Sequence, residues 1–162
     1  QGNPSKKEVA LIFKIDKNDN IENILSTLEK ENAKGTFFIT SDFLENNHNL
    51  IIRLIQNGHV VGNLSKNEDY SSSDFIWMKT IITSTKYQKN NYCLKDKNTN
   101  ALDICRIYSS YTIMPINIKY HPYISIKKNL KPGTLYMIKT NIKEGELQLI
   151  IKYINYFVYL IF

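Results

Sequence analysis

Short, almost uninterrupted apolar runs alternate with helical patterns along this chain of 162 residues, and this alternation constrains its fold more than any other feature. Residues 9–15 and 36–40 are rich in β-branched and aromatic side chains, which is typical of buried strands. Between them, residues 21–28 place apolar side chains on one face of a helix. Strands without polar alternation, separated by helices, predict a parallel sheet or barrel covered by helices.

The same alternation continues to the end of the chain. We expect chemistry at the carboxyl ends of the strands, where such folds carry their functional side chains. The further predicted elements are a helix over 42–57 ended by Gly58, a strand over 59–62, a helix after 71–74, a short strand near Tyr92, a helix containing Cys105, strands over 111–116 and 134–138, a helix over 147–154 and a strand over 157–161.

Length and apolar content predict one domain. The chain is 43% hydrophobic and can bury one sizeable core, so we assign residues 7–162 to a single domain. Residues 1–6 are polar, with Gly and Pro, and are expected to be disordered or left over from cloning or trimming. The apolar run 153–162 is shorter than the roughly 20 residues of a membrane-spanning helix, so no membrane span is expected.

The net charge of +6 favours anionic surroundings without choosing among them. The lysines are scattered, which is typical of a solvated surface. Arg53 and Arg106 are the two arginines, which leaves few bidentate contacts for phosphate or bases, so we do not expect nucleic-acid binding.

The two cysteines, Cys93 and Cys105, are too few for a disulfide scaffold or a zinc knuckle. Cys105 repeats with Ala101, Ile104 and Tyr108 at helical spacing, so we expect it to be buried. The sequence leaves their disulfide state open.

Four segments share residues, order and spacing with one known family. They are Val9-Ala10-Leu11-Ile12-Phe13, Ala33-Lys34-Gly35-Thr36-Phe37-Phe38-Ile39-Thr40, Asn57-Gly58-His59-Val60-Val61-Gly62-Asn63 and Leu130-Lys131-Pro132-Gly133-Thr134-Leu135. The chain resembles the polysaccharide deacetylases, also called nodulation-protein-B-like domains or carbohydrate esterase family four. The resemblance is strongest in about the first 65 residues. It implies a distorted, incomplete (β/α) barrel of about seven parallel strands. The stretch 116–131 is short for the family's usual loop and helix, so we expect one peripheral element to be missing there.

The family's mechanism implies an Asp-Asp pair after the first strand. One carboxylate is the general base, and the other joins two histidines around a divalent metal that activates water. A late histidine protonates the leaving amine. Where the family has Thr-Phe-Asp-Asp-Gly, this chain has Ile12-Phe13-Lys14-Ile15-Asp16, so the base position is Lys14 and the metal-ligand position is Ile15.

The other motifs are also replaced. The two metal-binding histidines of the family correspond to Leu64 and Glu68, and the late Leu-His-Asp motif corresponds to Ile138-Lys139-Thr140. The middle Arg-Pro-Pro-Tyr motif falls at Cys93-Leu94-Lys95. A leucine cannot bind a metal, and Glu68 alone does not hold zinc against water. We therefore expect no bound metal or other cofactor and no deacetylase activity.

The resemblance implies an extracellular or cell-envelope role with a cell-wall polysaccharide, peptidoglycan or an envelope protein as partner. The leading hypothesis is an inactive homologue that binds or assembles. One alternative is an active acetamide hydrolase with a metal relocated to Asp16 and Glu68, and another is a purely protein-binding scaffold. Lys14 and Lys139 are candidates for a cationic ligand pocket, although exposed lysines explain them more simply. Candidates for stacking on sugars are Trp77, Tyr108, Tyr111, Tyr120 and Tyr123.

Overall fold

The computed structural model describes residues 3–16, 21–64, 71–95, 100–157 and 160–161. In chain order the elements are β1 (Glu8–Ile15), α1 (Ile21–Lys30), β2 (Thr36–Ile39), α2 (Ser41–Asn46), α3 (His48–Gln56), β3 (Val60–Asn63), α4 (Ser72–Ser84), β4 (Tyr92–Leu94), α5 (Asn100–Tyr108), β5 (Tyr111–Ile113), β6 (Ile116–Asn117), α6 (Pro122–Asn129), β7 (Leu135–Ile138), α7 (Glu144–Tyr156) and β8 (Leu160–Ile161). The chain clusters into two compact units, the first formed by residues 1–14, 18–36 and 115–162, and the second by residues 15–17 and 37–114.

In the first unit, β1 pairs in parallel with β7 and with β8, and β7 pairs in parallel with β6. The register aligns the Cα atoms of Phe13 and Ile138, and those of Asn117 and Met137. The main-chain N–H of Ile118 donates to Met137 O at 2.9 Å, which extends the ladder beyond β6. The carboxyl ends of β1, β7 and β6 therefore lie side by side.

The helices of the first unit bury one apolar face each. Leu28 on α1 and Ile150 on α7 are fully buried, as the spacing of their apolar neighbours predicts. Glu31, just after α1, accepts a hydrogen bond from Gln148 Nε2 at 2.6 Å and forms an ion pair with Lys152 at 3.8 Å. These polar contacts join the end of α1 to α7.

In the second unit, β4 pairs in parallel with β3 and with β5. The N–H of Leu64 donates to Ile39 O at 2.8 Å, so the chain after β3 lies beside the end of β2. Two of its helices, α2 and α4, begin at hydroxyl caps: the Oγ1 of Thr40 accepts from Phe43 N, and the Oγ of Ser71 accepts from Asp74 N. These caps satisfy amide groups that the helices cannot pair internally.

Two buried amide side chains complete the second unit. Gln88 donates to Val61 O at 2.7 Å and accepts from Val61 N at 2.8 Å, so its amide pairs with β3 as a neighbouring strand would. Asn91 Oδ1 accepts from Asn63 Nδ2 at 2.8 Å, and Asn91 Nδ2 donates to Tyr108 O at 3.3 Å. Buried polar groups persist in cores when they are paired in this way.

A disulfide joins Cys93 on β4 to Cys105 on α5. Both cysteines are fully buried, and Phe75, Ile104 and Tyr108 pack in the same cluster. The burial of Cys105 agrees with its helical spacing. The sequence did not predict the bridge, because the two cysteines lie in different elements whose contact depends on the fold.

Three predicted elements were wrong in detail. The helix expected over 42–57 is two helices, because Asn47 leaves the helical conformation and its side chain donates to Phe43 O. The strand expected over 111–116 is divided into β5 and β6 around Pro115, whose ring removes the N–H needed by a ladder. The peripheral element that was expected to be missing from 116–131 is present: it is the helix α6, which has Pro122 in its first turn.

Candidate functional site

In the first unit, Lys14 and Lys139 lie at the carboxyl ends of β1 and β7. Phe13 and Ile138 are aligned in the parallel register, so the residues that follow them, Lys14 and Lys139, are also level. Lys14 is half-buried on its strand, and Lys139 is exposed. Thr140, the other residue of the late motif, is half-buried. The two positions that the sequence motifs align with the family's base and acid are therefore lysines on neighbouring strands.

In the second unit, Ile15 and Leu64 lie on either side of the carboxyl end of β2. Ile15 O accepts from Thr40 N at 3.4 Å, and Ile39 O accepts from Leu64 N at 2.8 Å. Ile15 is fully buried and Leu64 is 7% exposed. Two of the three positions that the sequence motifs align with the family's metal ligands thus carry buried hydrocarbon side chains.

These residues do not fit a divalent metal. The side chains of Ile15 and Leu64 have no lone pair to donate, and a metal requires several nitrogen, oxygen or sulfur ligands. Glu68 lies outside the described residues. Asp16 is exposed, and over the described ranges no three His, Cys, Asp or Glu residues cluster as metal ligands would.

The middle motif has a structural role in this chain. Cys93 is bonded to Cys105, and Leu94 is buried. The N–H of Lys95 donates to Ile113 O at 2.9 Å, which continues the β4–β5 ladder. None of these three residues, which the sequence comparison aligns with the middle motif, is an arginine.

The retained motif residues have packing roles. A Cβ on Gly62 would overlap the ring of Phe38 and come within 3.0 Å of Tyr92 O, so the strand requires glycine there. His59 is buried, and its ring lies edge-on to Phe37 at 5.5 Å between centroids. The motif Gly-His-Val-Val-Gly-Asn thus supports the β3 region of the second unit.

Lys119 is a site residue that the sequence motifs missed. Asn117 is level with Met137, and Ile118 N bonds to Met137 O, so Lys119 falls level with Lys139. We call Lys14, Lys139 and Lys119 the lysine row. The adjacent Tyr120 is 76% exposed, and its ring centroid lies 5.8 Å from Lys139 Nζ. Lys119 is identified by the pairing of β6 with β7 and not by any sequence motif.

The aromatic candidates divide between the two units. In the second unit, Tyr111 stacks on Tyr92 at 5.6 Å, Tyr108 packs on Phe75, and Trp77 is 41% exposed. In the first unit, Tyr120 contacts Lys139, while Tyr123 packs against Tyr153. Tyr108 and Tyr123 are half-buried packing residues, and Tyr111 and Tyr120 are the more exposed of the four tyrosines.

The fold is an α/β architecture with parallel strand pairs. The candidate site residues Lys14, Leu64 and Lys139 lie at or just after the carboxyl ends of strands. The sequence model of the polysaccharide deacetylase family matches residues 1–102. The chain belongs to the polysaccharide deacetylase family. In the described part of the chain, none of its helices has the length and apolar character needed to cross a bilayer.

Two curated relatives match part of the chain. An uncharacterized 30.6 kDa protein of Geobacillus stearothermophilus is 35% identical over 97 residues, which are 59% of this chain and 34% of the relative. The peptidoglycan-N-acetylmuramic acid deacetylase PdaA of Bacillus subtilis is 35% identical over 65 residues, which are 40% of this chain and 25% of PdaA. The aligned segments span about a third or less of these relatives.

Solved structures match nearly the whole chain. The structure of Bacillus subtilis PdaA aligns with a TM-score of 0.79 at 20% identity, over 99% of this chain and 80% of the PdaA chain. A carbohydrate esterase family four pseudoenzyme from Bacillus anthracis aligns with a TM-score of 0.79 at 19% identity, over 99% and 64%. The predicted polysaccharide-deacetylase fold is confirmed.

Proposed function

We propose that this chain is a catalytically inactive polysaccharide deacetylase homologue that binds a cell-wall polysaccharide at the cell envelope. The observation that carries the proposal is the burial of Ile15 and Leu64 at the metal-ligand positions. The substitutions of Lys14 and Lys139 at the base and acid positions support it. A single substitution would allow a variant mechanism, but here the groups for metal binding, base and acid are all replaced.

The chemistry supports inactivity at each step. An ammonium at Lys14 cannot accept a proton from water until it has lost its own, and an aliphatic Ile15 cannot polarise a carbonyl. Lys139 does not supply the imidazole with which the family protonates the leaving amine.

The relatives support an envelope location. PdaA is a peptidoglycan deacetylase by name, and another structural neighbour is a peptidoglycan N-acetylglucosamine deacetylase. The Cys93–Cys105 bridge adds an independent argument. Disulfides persist in oxidising compartments and are rare in the cytosol, so a buried bridge is consistent with a protein exposed outside the membrane.

Two measurements on the purified chain test inactivity. We expect less than stoichiometric zinc, cobalt or nickel by elemental analysis, and no metal-stimulated acetate release from peptidoglycan or chitin oligomers. A stoichiometric metal together with acetate release would contradict the proposal and favour the hydrolase with ligands relocated to Asp16 and Glu68. The variant D16N/E68Q would then test that relocated site, because removing its two carboxylates would abolish metal binding.

Restoring the family's residues provides the complementary test. A carbohydrate esterase family four pseudoenzyme with activity restored by mutation has the same fold. We expect K14D/I15D/L64H/E68H to bind a divalent metal, and the further change K139H to raise acetate release above that of the parent. Metal content should be measured before activity. Metal binding by the unchanged chain equal to that of the restored variant would contradict the assignment of these positions.

A further inference from the structure

We propose that the lysine row, Lys14, Lys139 and Lys119, binds successive oxyanions of an anionic cell-wall polysaccharide. This inference rests on the proposed binding function and specifies the ligand's chemistry. The row includes the former base and acid positions and extends beyond them to Lys119, which belongs to no family motif.

The strand register creates the row. Phe13 is aligned with Ile138, and Asn117 with Met137, so the three lysines continue three neighbouring parallel strands at one level. Lys14 is the penultimate residue of β1, Lys139 directly follows β7, and Lys119 is the second residue after β6. The main-chain positions of the three lysines therefore lie at the same edge of the sheet.

The spacing fits a repeating ligand. Neighbouring strands are about 4.8 Å apart, so the outer two Cα positions are separated by about 10 Å. Flexible lysine stems allow the three ammonium groups to spread further. An ammonium acts as a point charge with three donors and does not require the planar geometry that arginine recognises. Such a row suits several separate carboxylates or phosphates along one polymer.

The charges of Lys119 and Lys139 are available to a ligand. Lys119 and Lys139 are exposed, and within the part of the chain that the structure describes neither forms an ion pair. Glu146, in the first turn of α7, instead accepts a hydrogen bond from Tyr123 N. Like charges held at neighbouring positions repel one another, and a bound anion relieves that repulsion.

Tyr120 favours a sugar polymer over a simple anion. It is 76% exposed and holds Lys139 Nζ 5.8 Å from its ring centroid, within the range of a cation–π contact. The ring thus places an apolar surface next to a cation. Sugar rings pack on aromatic faces while their acidic groups pair with ammonium groups, so one short stretch offers both contacts.

Nucleic acid fits the row less well. The two arginines, Arg53 on α3 and Arg106 on α5, belong to the second unit, whereas the lysine row belongs to the first. Base recognition and bidentate phosphate contacts favour arginine. The row therefore lacks the side chain that phosphate-backbone and base contacts use most effectively.

The test is cosedimentation of the purified chain with cell-wall sacculi. One sample retains its phosphodiester polymers, and the other is stripped of them so that peptidoglycan carboxylates remain. The test variant is K119Q/K139Q. The matched control is K128Q/K131Q, which removes the same charge from two exposed lysines of the first unit. Thermal melting checks that all variants are folded.

We expect K119Q/K139Q to weaken binding at least about tenfold, or about 1.4 kcal/mol. K128Q/K131Q should change it less than about twofold, and K119R/K139R should retain it, since charge is conserved. Added salt should weaken wild-type binding. The two sacculus samples identify phosphate or carboxylate as the bound oxyanion.

Equal losses in K119Q/K139Q and K128Q/K131Q would overturn the inference, because the effect would then be one of net charge. Undiminished binding by K119Q/K139Q would also overturn it, while leaving the proposed binding function intact. Tighter binding to an oligonucleotide of equal charge than to sacculi would overturn the choice of polymer. Metal content and acetate release, measured on the same preparations, report separately on inactivity.

Discussion

Ile15 shows how one residue changes the chemistry available at a strand end. Its main chain keeps the position, since Ile15 O accepts from Thr40 N, while its side chain is fully buried. A carboxylate in this environment without a metal would lose its hydration and gain no partner. The isoleucine is therefore suited to a core that has no ion to enclose.

Replacing Ile15 by Asp should lower the free energy of unfolding by about 2–4 kcal/mol, because the carboxylate would be buried without compensation. Urea denaturation measures the change. The control is Ile76→Asp on α4, where the side chain is 48% exposed and the change should stay within about 0.5 kcal/mol. Equal effects at the two positions would show that Ile15 is not in an apolar environment.

Two glycines give opposite expectations for the same substitution. Gly62→Ala places a methyl group against Phe38 and should destabilise the chain by about 1–3 kcal/mol. Gly145→Ala lies in α7, where a Cβ meets no atom within 4 Å, and should stabilise it by about 0.5–1 kcal/mol. Thermal or urea unfolding of both variants gives the sign. An unchanged free energy of unfolding for Gly62→Ala would mean that the Phe38 ring can move away from β3 at little cost.

At this scale the sequence predicted the site only in part. Lys14, Ile15, Leu64 and Lys139 could be located because neighbouring motif residues align them with the family. Lys119 could not, because it joins the row through strand register, and register depends on pairing between distant segments. Glu68 was also predicted from its motif and lies outside the described residues.

Among the elements, the Cys93–Cys105 bridge links β4 to α5. The two cysteines are 12 residues apart, and closing a loop of this size restricts the unfolded chain. The bridge also fills a buried cluster with Phe75. It therefore stabilises both the connection and the packing of this part of the second unit.

Reduction of the bridge or the change C93A/C105A should lower the free energy of unfolding by about 2–4 kcal/mol. Denaturant unfolding with and without reductant measures the effect, and the double variant is the control for reductant acting elsewhere. Alkylation of the denatured, unreduced chain should label neither cysteine. Labelling of both cysteines before reduction would contradict the bridge and weaken the argument for an oxidising compartment.

Element types were predicted from periodicity better than element breaks. The apolar faces of α1, α3 and α7 are buried as their spacing indicated. The break at Asn47 and the division between β5 and β6 depend on single residues, a side-chain hydrogen bond in one case and Pro115 in the other. The helix α6 was missed because it is short, with few apolar positions to produce a pattern.

For the whole molecule, the fold could be predicted because it depends on apolar pattern and a few glycines rather than on exact sequence. Bacillus subtilis PdaA shares 20% identity with this chain and still aligns with a TM-score of 0.79. Substitution of similar apolar residues preserves burial and strand pairing. The assignment of residues 7–162 to a single domain remains a prediction.

The burial of Ile15 and Leu64 has a consequence for how this lineage can change. A first mutation to aspartate or histidine at either position would place a polar group in an apolar setting without the other ligands needed to hold an ion. Each intermediate would be less stable than its parent and would gain no reaction in exchange. Acquisition of a metal site by single steps is therefore opposed by selection for stability.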